Sequence, residues 1–531
     1  MIITIKPDTD VIVSSECRPD VFIKEDFEMM VLIPPGTNIL IESFMFGKVV
    51  SEEHSVIHST KTITTSLKER ENTLRDLMLV KDEDLKERYV DSYGNVYSKD
   101  KKRLLKGADI ASNTLVEECI IVCESAFQEH KKMRTLSLPS VKIIANSAFY
   151  ACESLERVSV SQALTYIGDM AFMNCHSLSR ILFPPELVYV GDSAFNGSGL
   201  RRAELPSSLR YLGIAVFNLC RNLTSITLQD GSPLTHIPAY SFAGCNSLTV
   251  AYFPNTIRSL GEHAFANCHC IMESSIPKQL ESIGDFAFHC CLSLTAVTIP
   301  DTVRFLGVAV FAGCNCLCTL KIDAKIKEIP PSFCEGCSML TKATFQEGLL
   351  KIGNNAFSRC NIYELSLPSS VMEIGSYAFE KCSNLMNVNF PPDICRIGAS
   401  AFAETDLRCV WLPQSLMEIS AGAFSSLNSV HFAGRFAVNS GRAVVVNGCL
   451  IAIYPDDRDI CAIPSMVWAI SAHSVSECER VIIPPSVKYI DGGAFDLCED
   501  RIGRISVPKS KKEEYRSMIP KHLWDLVSVY T

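Results

Sequence analysis

A phenylalanine recurs through most of this chain at steps of 22 to 25 residues. The repeated residues are Phe127, Phe149, Phe172, Phe195, Phe217, Phe242, Phe265, Phe288, Phe311, Phe333, Phe357, Phe379, Phe402 and Phe424. A period of this length is typical of repeat proteins, in which one unit cannot bury its apolar face alone and therefore stacks on its neighbours. The spacing predicts a solenoid with one continuous core, so the 531 residues do not have to divide into several globular domains.

Residues 287–311, AFHCCLSLTAVTIPDTVRFLGVAVF, contain one complete unit. Val297 and Ile299 alternate with polar or small residues, which predicts a short strand with one buried face. Pro300 ends the strand because it has no backbone N–H group to donate. Gly307 recurs at the same place in most units, and it supplies either a positive φ or a close approach between backbones.

These residues resemble the BspA-like leucine-rich repeats, the surface-antigen branch of that superfamily. The segment SLPSSVMEIGSYAFEKCSNL, residues 366–385, matches the unit of that family almost position for position. The resemblance covers about residues 110–507 and implies a leucine-rich-repeat solenoid of the α/β horseshoe type. Short parallel strands would line its concave face, with short helical or 3-10 turns and irregular segments on the convex face. The family also implies protein binding, often in adhesion at a cell surface.

The repeat pattern divides the chain into three predicted regions. Residues 1–109 form an N-terminal region with a degenerate coil at 31–46, a charged helical insertion at 47–88 and a hairpin after Tyr89. Residues 110–507 form the solenoid, interrupted at about 433–465 by a hairpin whose turn is Asn447-Gly448. Residues 508–531 are predicted to cap the apolar end of the solenoid with Tyr515, Met518, Ile519, Leu523, Trp524 and Leu526.

Charge and hydropathy bear on partners and location. A net charge of -9 argues against nucleic-acid binding, which requires a basic surface. The first residues lack the features of a secretory signal, and no apolar run is long enough to span a membrane. We therefore expect a monomeric, cytoplasmic protein, although the family resemblance suggests the cell surface instead. Asn196 and Asn222 begin glycosylation sequons, so a glycan at either would demonstrate secretion.

Cysteine is abundant, with 24 residues. Eleven lie three residues after the repeat phenylalanine or its equivalent: Cys152, Cys175, Cys220, Cys245, Cys268, Cys291, Cys314, Cys360, Cys382, Cys478 and Cys498. This pattern predicts a ladder of buried free thiols that pack as small hydrophobic groups. The alternative is a zinc site in the Cys/His-rich coils, where Cys334 and Cys337 form a C-x-x-C pair with further cysteines, His269 and His289 nearby.

No catalytic or cofactor-binding motif occurs, so the sequence predicts a non-enzymatic protein-interaction module without a cofactor. The alternatives are an exported adhesin that binds host or matrix proteins, and a metal-binding or catalytic protein. Two columns of exposed residues are expected on the concave strands. One column carries Arg157, Arg180, Arg202 and Lys342, and the other carries Tyr252, Lys321, Trp411 and, one coil later, His431. Since Arg, Tyr and Trp dominate interface hot spots, these eight residues are the predicted partner-binding set.

Overall fold

The structure is a computed structural model that describes residues 77–530, apart from 274, 275, 428, 429 and 435, together with the backbone of five earlier strands. Those strands are Ile2–Thr4, Val11–Val13, Met30–Ile33, Ile39–Ile41 and Lys48–Ser51. They pair in parallel, and two of them overlap the coil predicted at 31–46. Most of the helical insertion predicted at 47–88 lies outside the described residues. Its described part includes the α-helix Asp82–Lys86.

The chain forms two compact units, Met1–Ser241 and Phe242–Thr531, and each is a parallel β-solenoid with little helix. A first sheet runs along each unit. Its strands in the first unit are Ser112–Thr114, Thr135–Leu138, Arg157–Val160, Arg202–Leu205 and Ser225–Leu228. In the second unit they are Val250–Tyr252, Ala296–Ile299, Thr319–Ile322, Lys342–Thr344, Glu364–Ser366, Asn387–Asn389, Cys409–Leu412, His431–Gly434, Ile460–Ala462, Arg480–Ile482, Arg504–Pro508 and Val527–Tyr530.

A second sheet of two-residue strands occupies another side of each coil. In the first unit its strands are Ile121–Val122, Ile143–Ile144, Tyr166–Ile167, Tyr189–Val190, Tyr211–Leu212 and His236–Ile237. In the second unit they are Ser259–Leu260, Ser282–Ile283, Phe305–Leu306, Glu328–Ile329, Lys351–Ile352, Glu373–Ile374, Arg396–Ile397, Glu418–Ile419, Ala469–Ile470 and Tyr489–Ile490. These strands and tight turns fill the places where we predicted short helical turns. Strand pairing between coils satisfies the donors that a helical turn would bond within one coil.

A third ladder of hydrogen bonds joins the turns that carry the repeat phenylalanines. The N–H groups of Ser147, Phe149 and Ala151 each donate to a carbonyl of the following coil at 2.8 Å. Ser147 and Ala151 have φ values of 52° and 54°, and the same left-handed pair recurs at Met170 and Asn174 in the next coil. Such a conformation costs a non-glycine residue about 1–2 kcal/mol. The bonds between coils therefore hold a turn that a single coil would not keep.

The repeat phenylalanines form stacked columns in the core. Centroids of neighbouring rings lie 4.8 to 5.7 Å apart from Phe127 to Phe217, and 5.2 to 5.5 Å apart from Phe242 to Phe311. Every ring in these columns is completely buried. This arrangement confirms the solenoid core that the period predicts.

Phe333 was wrongly assigned to this column. Its ring meets Phe311 edge to face, at an interplanar angle of 89° rather than stacked. The N–H of Phe311 donates to the carbonyl of Phe333. In a regular coil the acceptor of this bond is the alanine before the repeat phenylalanine: the N–H of Phe149 donates to the carbonyl of Ala171, which precedes Phe172. Cys334 therefore occupies the phenylalanine position. With Cys334 in that place, the steps from Phe311 to Phe357 become 23 and 23 residues.

The recurring glycine allows close backbone approach, which decides between the two roles that the sequence left open. A Cβ added to Gly168 would lie 2.7 Å from the backbone nitrogen of Asn146 in the preceding coil, and no positive φ is involved. The same contact recurs at Gly191 and Gly213. Glycine is needed there because neighbouring coils touch through their backbones.

Two groups of antiparallel strands interrupt the parallel sheets. The strands Arg88–Val90, Val96–Ser98 and Arg103–Lys106 pair antiparallel, and Ala443–Val446 pairs antiparallel with Cys449–Ile453. The short strand Ala437–Val438 joins the second hairpin. Asn447 and Gly448 at its turn have φ values of 51° and 75°, as a type I′ turn requires.

The C-terminal segment packs on the last coils. It contains the α-helix Lys512–Met518 and the 3-10 helices Lys509–Lys511 and Lys521–Leu526. Tyr515, Ile519 and Leu523 are buried in the core of these coils, and Met518, Trp524 and Leu526 pack partly buried against it. No helix among the described residues is long and apolar enough to cross a bilayer. The proposed domain boundaries at 109/110 and 507/508 stay predictions.

Candidate interaction surface

The first sheet of the N-terminal unit aligns three arginines. Arg157 and Arg180 face each other across a parallel bridge, and Arg202 pairs in turn with Ser225. The N–H of Arg201 donates to the carbonyl of Ser179 at 3.2 Å, which places Arg202 after Arg180. All three arginines are exposed, while the residue that follows each of them is buried in the core. These buried residues are Val158, Ile181 and Ala203. The structure therefore brings together the three arginines predicted to share one column.

The second unit carries the other five predicted residues. Lys321 and Lys342 lie on adjacent strands, since Thr319 pairs with Lys342. The Nζ of Lys321 is 2.7 Å from Oδ2 of Asp323, so its charge is already paired. Tyr252 is half exposed, at the end of its strand. Lys342 and the Trp411 strand are separated by two intervening strands, so the structure does not bring these two residues together.

Trp411 is the largest exposed side chain on the first sheet. Its indole is 66% exposed, whereas Val410 and Leu412 on either side are fully buried. The strand alternates strictly, so Trp411 points away from the core for a geometric reason. Packing within the coil does not require an aromatic residue there.

The sequence analysis placed His431 after Trp411 in one column, and the structure shows that this placement is wrong. The strand Cys409–Leu412 pairs with His431–Gly434 so that Cys409 faces His431 and Trp411 faces Ala433. The histidine ring also lies against Gly441, because a Cβ added there would be 2.6 Å from the ring Nδ1. The predicted column was wrong by two residues at this coil because the next repeat phenylalanine after Phe424 is Phe495, too far along the chain to mark the register here.

Two charged neighbours escaped the sequence analysis. Arg134 and Arg201 precede the strand positions that we compared, and both are exposed beside the arginine column. Arg134 lies 3.6 Å from Glu156, and no ion pair is formed by Arg201 within the described part of the chain. At these two coils the residue before the strand also faces solvent. A third column, one position before the other two, would have included both arginines.

The thiols form the predicted ladder, with one added role. The cysteine S–H of a coil donates to the carbonyl of the repeat phenylalanine one coil earlier, at 2.9 to 3.2 Å. Such donors include Cys152, Cys175, Cys220, Cys268, Cys291, Cys314, Cys337 and Cys382. Burial raises the pKa of Cys152, Cys220 and Cys382 to about 12. These three thiols are therefore neutral near pH 7 and act as donors as well as packing groups.

The Cys/His-rich coils offer little reactive chemistry. The Sγ of Cys290 is 3.6 Å from Nε2 of His289, but burial raises the pKa of the thiol and lowers the pKa of the imidazole. Both groups are therefore neutral near pH 7, so no thiolate and imidazolium pair forms. Over the residues that the structure describes, no three His, Cys, Asp or Glu side chains converge to hold a metal ion.

Comparison with known structures supports the fold. A leucine-rich repeat protein from Bacteroides ovatus is 24% identical, with 67% of this chain and 100% of that chain covered and a TM-score of 0.52. Others come from Eubacterium ventriosum (21% identity, 62% and 87% covered, TM-score 0.42) and Faecalibacterium prausnitzii, the latter a leucine rich cell surface protein (19% identity, 81% and 97% covered, TM-score 0.36). No curated protein gives a significant sequence match.

A family model carries the assignment further. The BspA type leucine rich repeat region, a model of six copies, matches residues 101–224, 189–318, 235–363 and 310–431. These matches overlap and together span 101–431, which is more than half of the 531 residues. Stacked phenylalanines, parallel strands and close glycine contacts recur throughout this span. The chain belongs to the BspA-type leucine-rich repeat family.

Proposed function

We propose that this chain is a non-enzymatic protein-interaction module that binds its partner on the first sheet. The observation that carries the proposal is Trp411, which is 66% exposed between two fully buried neighbours on the same strand. A large apolar side chain held in water is typical of an interface anchor. The neutral thiols of Cys152, Cys220 and Cys382 and the neutral Cys290–His289 pair support a binding function over a catalytic one.

The exposed arginines add a second potential contact region within the first unit. Arg157 pairs with Thr135 and with Arg180, and Arg202 pairs with Ser225, so neighbouring coils hold the backbone at these residues and little order has to be gained on binding. We expect Arg180→Glu combined with Arg202→Glu, and separately Trp411→Ala, to weaken partner binding by at least about 2 kcal/mol, the threshold of a hot spot. Thermal stability should change little because these side chains make few contacts with the core.

Site-specific photo-crosslinking tests the surface directly. A photoreactive phenylalanine would replace Trp411, and in a matched variant it would replace Met417. Met417 follows in the same repeat, at the edge of the second sheet, and is 74% exposed, so both probes are equally accessible. We expect crosslinks to one discrete partner from position 411 and none from 417. Crosslinks from 417 alone would place the binding surface on the other side and refute the proposal.

We also propose that the protein acts in a reducing compartment, with an exported surface antigen as the alternative. The ladder of free thiols supports the first location, because oxidising compartments favour disulfides. The two sequons give a test. Asn222 and Thr224 are exposed, whereas Ser198 of the other sequon is buried against Cys220. An enzyme-sensitive glycan on Asn222 in protein from the native host would show export and overturn the intracellular location.

A further inference from the structure

The arginine column places three like charges in register on neighbouring coils. Adjacent coils lie about 4.8 Å apart, so Arg157 and Arg202 are separated by about 10 Å at their Cα atoms. Like charges that face each other across strands destabilise a sheet. No carboxylate forms an ion pair with Arg157, Arg180 or Arg202 in the part of the chain that the structure describes. Folding alone therefore does not explain the column.

The second unit shows how this fold neutralises a column of charges. On its second sheet, Glu328, Lys351, Glu373, Arg396 and Glu418 alternate in sign over five coils. Oxygen to nitrogen distances along this ladder include 3.2 Å between Glu328 and Lys351 and 3.1 Å between Arg396 and Glu418. The arginine column has the same coil-to-coil spacing but no alternation.

An exposed leucine lies within the same surface. Leu182 is 62% exposed, two residues after Arg180 and on the same side of the chain. Arg201 adds a fourth exposed cation one residue before Arg202. We call Arg157, Arg180, Leu182, Arg201 and Arg202 the arginine face. It combines guanidinium groups, which pair with carboxylates through two parallel hydrogen bonds, with one apolar contact.

We infer that the arginine face binds an extended acidic segment of a protein, with its carboxylates on the arginines and an apolar side chain on Leu182. The inference rests on the proposed function and specifies the chemistry of the partner. Side chains on one side of an extended peptide recur about every 6.7 Å, so carboxylates at alternate positions match the column within the reach of flexible arginines. A protein segment fits better than a sulfated polysaccharide because the polysaccharide offers nothing apolar to Leu182.

A fluorescent twelve-residue peptide with glutamate at alternate positions and one central leucine provides the probe. Its binding to the full-length protein would be measured by fluorescence anisotropy at low and high salt, beside a peptide in which every glutamate is glutamine. We expect the glutamate peptide to bind at least about 30-fold more tightly than the glutamine peptide, and salt to weaken it.

Arg180→Glu gives the decisive variant because it converts the column to an alternating one. We expect this change to weaken peptide binding at least about 30-fold while the thermal midpoint stays the same or rises. Arg210→Glu is the matched control: Arg210 is exposed in the same unit but precedes a strand of the second sheet. It alters net charge equally and should change binding less than about threefold, the effect of a distant charge.

Three outcomes would overturn the inference. Equal binding of both peptides would show that the carboxylates do not contribute to affinity. Equal losses of affinity for Arg180→Glu and Arg210→Glu would show that the peptide responds to the net charge of the protein and not to the arginine face. Binding of a heparin fragment that Leu182→Ser leaves intact, with no peptide binding, would assign the face to a polysaccharide. If photo-crosslinking at position 411 still captured a partner in any of these cases, the proposed function would stand and only the acidic ligand would be rejected.

Discussion

Replacing Phe288 by alanine probes the core of the array. The ring is completely buried and stacks between Phe265 and Phe311, with both centroids 5.5 Å away. Removing a buried phenylalanine costs about 3–5 kcal/mol, and each aromatic pair contributes about 0.5–1.5 kcal/mol. We expect a loss of unfolding free energy near the upper end of that range, about 5 kcal/mol. Among the residues that the structure describes, Phe127 stacks on one phenylalanine, Phe149, so Phe127→Ala should cost about 3–4 kcal/mol.

Hydrogen exchange followed by mass spectrometry would locate the damage in each variant, and urea unfolding would measure the loss. In a one-dimensional array, Phe288→Ala should expose amides in the coils on both sides, whereas Phe127→Ala should expose only the first coils. Phe305→Ala is the control, since Phe305 is 57% exposed and should cost less than about 1 kcal/mol. Equal loss of protection along the whole chain from Phe288→Ala and Phe127→Ala would refute the array model.

Three other predictions concern single positions. Gly191→Ala should lower unfolding free energy by at least about 2 kcal/mol, because its Cβ would lie 2.6 Å from backbone in the preceding coil, whereas Gly492→Ala meets nothing within 4 Å and should be tolerated in the same urea assay. Burial raises the pKa of Asp169, so the folded state holds the proton of this carboxyl more tightly and the stability of the protein falls as pH rises. Asp169→Asn should therefore raise the thermal midpoint at pH 7. A gain of the same size at pH 3 would contradict this cause. Maleimide at pH 7 should label exposed Cys409 at least about 100-fold faster than Cys382, whose pKa is about 12, and equal native-state rates would refute the buried ladder.

The core could be predicted from the sequence because each unit contributes one phenylalanine to it at a recognisable position. A phenylalanine at nearly constant spacing can stack only if each coil has the same length, so the solenoid and the buried cysteine ladder followed from counting. The strand alternation likewise placed Arg157, Arg180 and Arg202 on one surface. Neither inference required knowledge of how the chain closes each turn.

The errors occurred where the counted residue changed. At Cys334 a phenylalanine lies one position too early, and the even steps of Cys314, Cys337 and Cys360 were the signal that could have corrected the register. At His431 the strand lies between Phe424 and Phe495, and no repeat phenylalanine between these two fixes its register. The second sheet was also missed as strand, since two-residue strands show no alternation to detect.

The hydrogen bonds of a coil run in two directions, which affects how the chain can be made. The N–H of Gly168 donates to the preceding coil at 2.8 Å, while those of Ser147 and Phe149 donate to the following one. A coil emerging from the ribosome can therefore complete its strands at once, but its left-handed turn lacks acceptors until the next 23 or so residues are synthesised. We expect nascent chains stalled at successive lengths to gain protease resistance one coil late. Resistance gained as each coil's own last residue emerges would contradict this order.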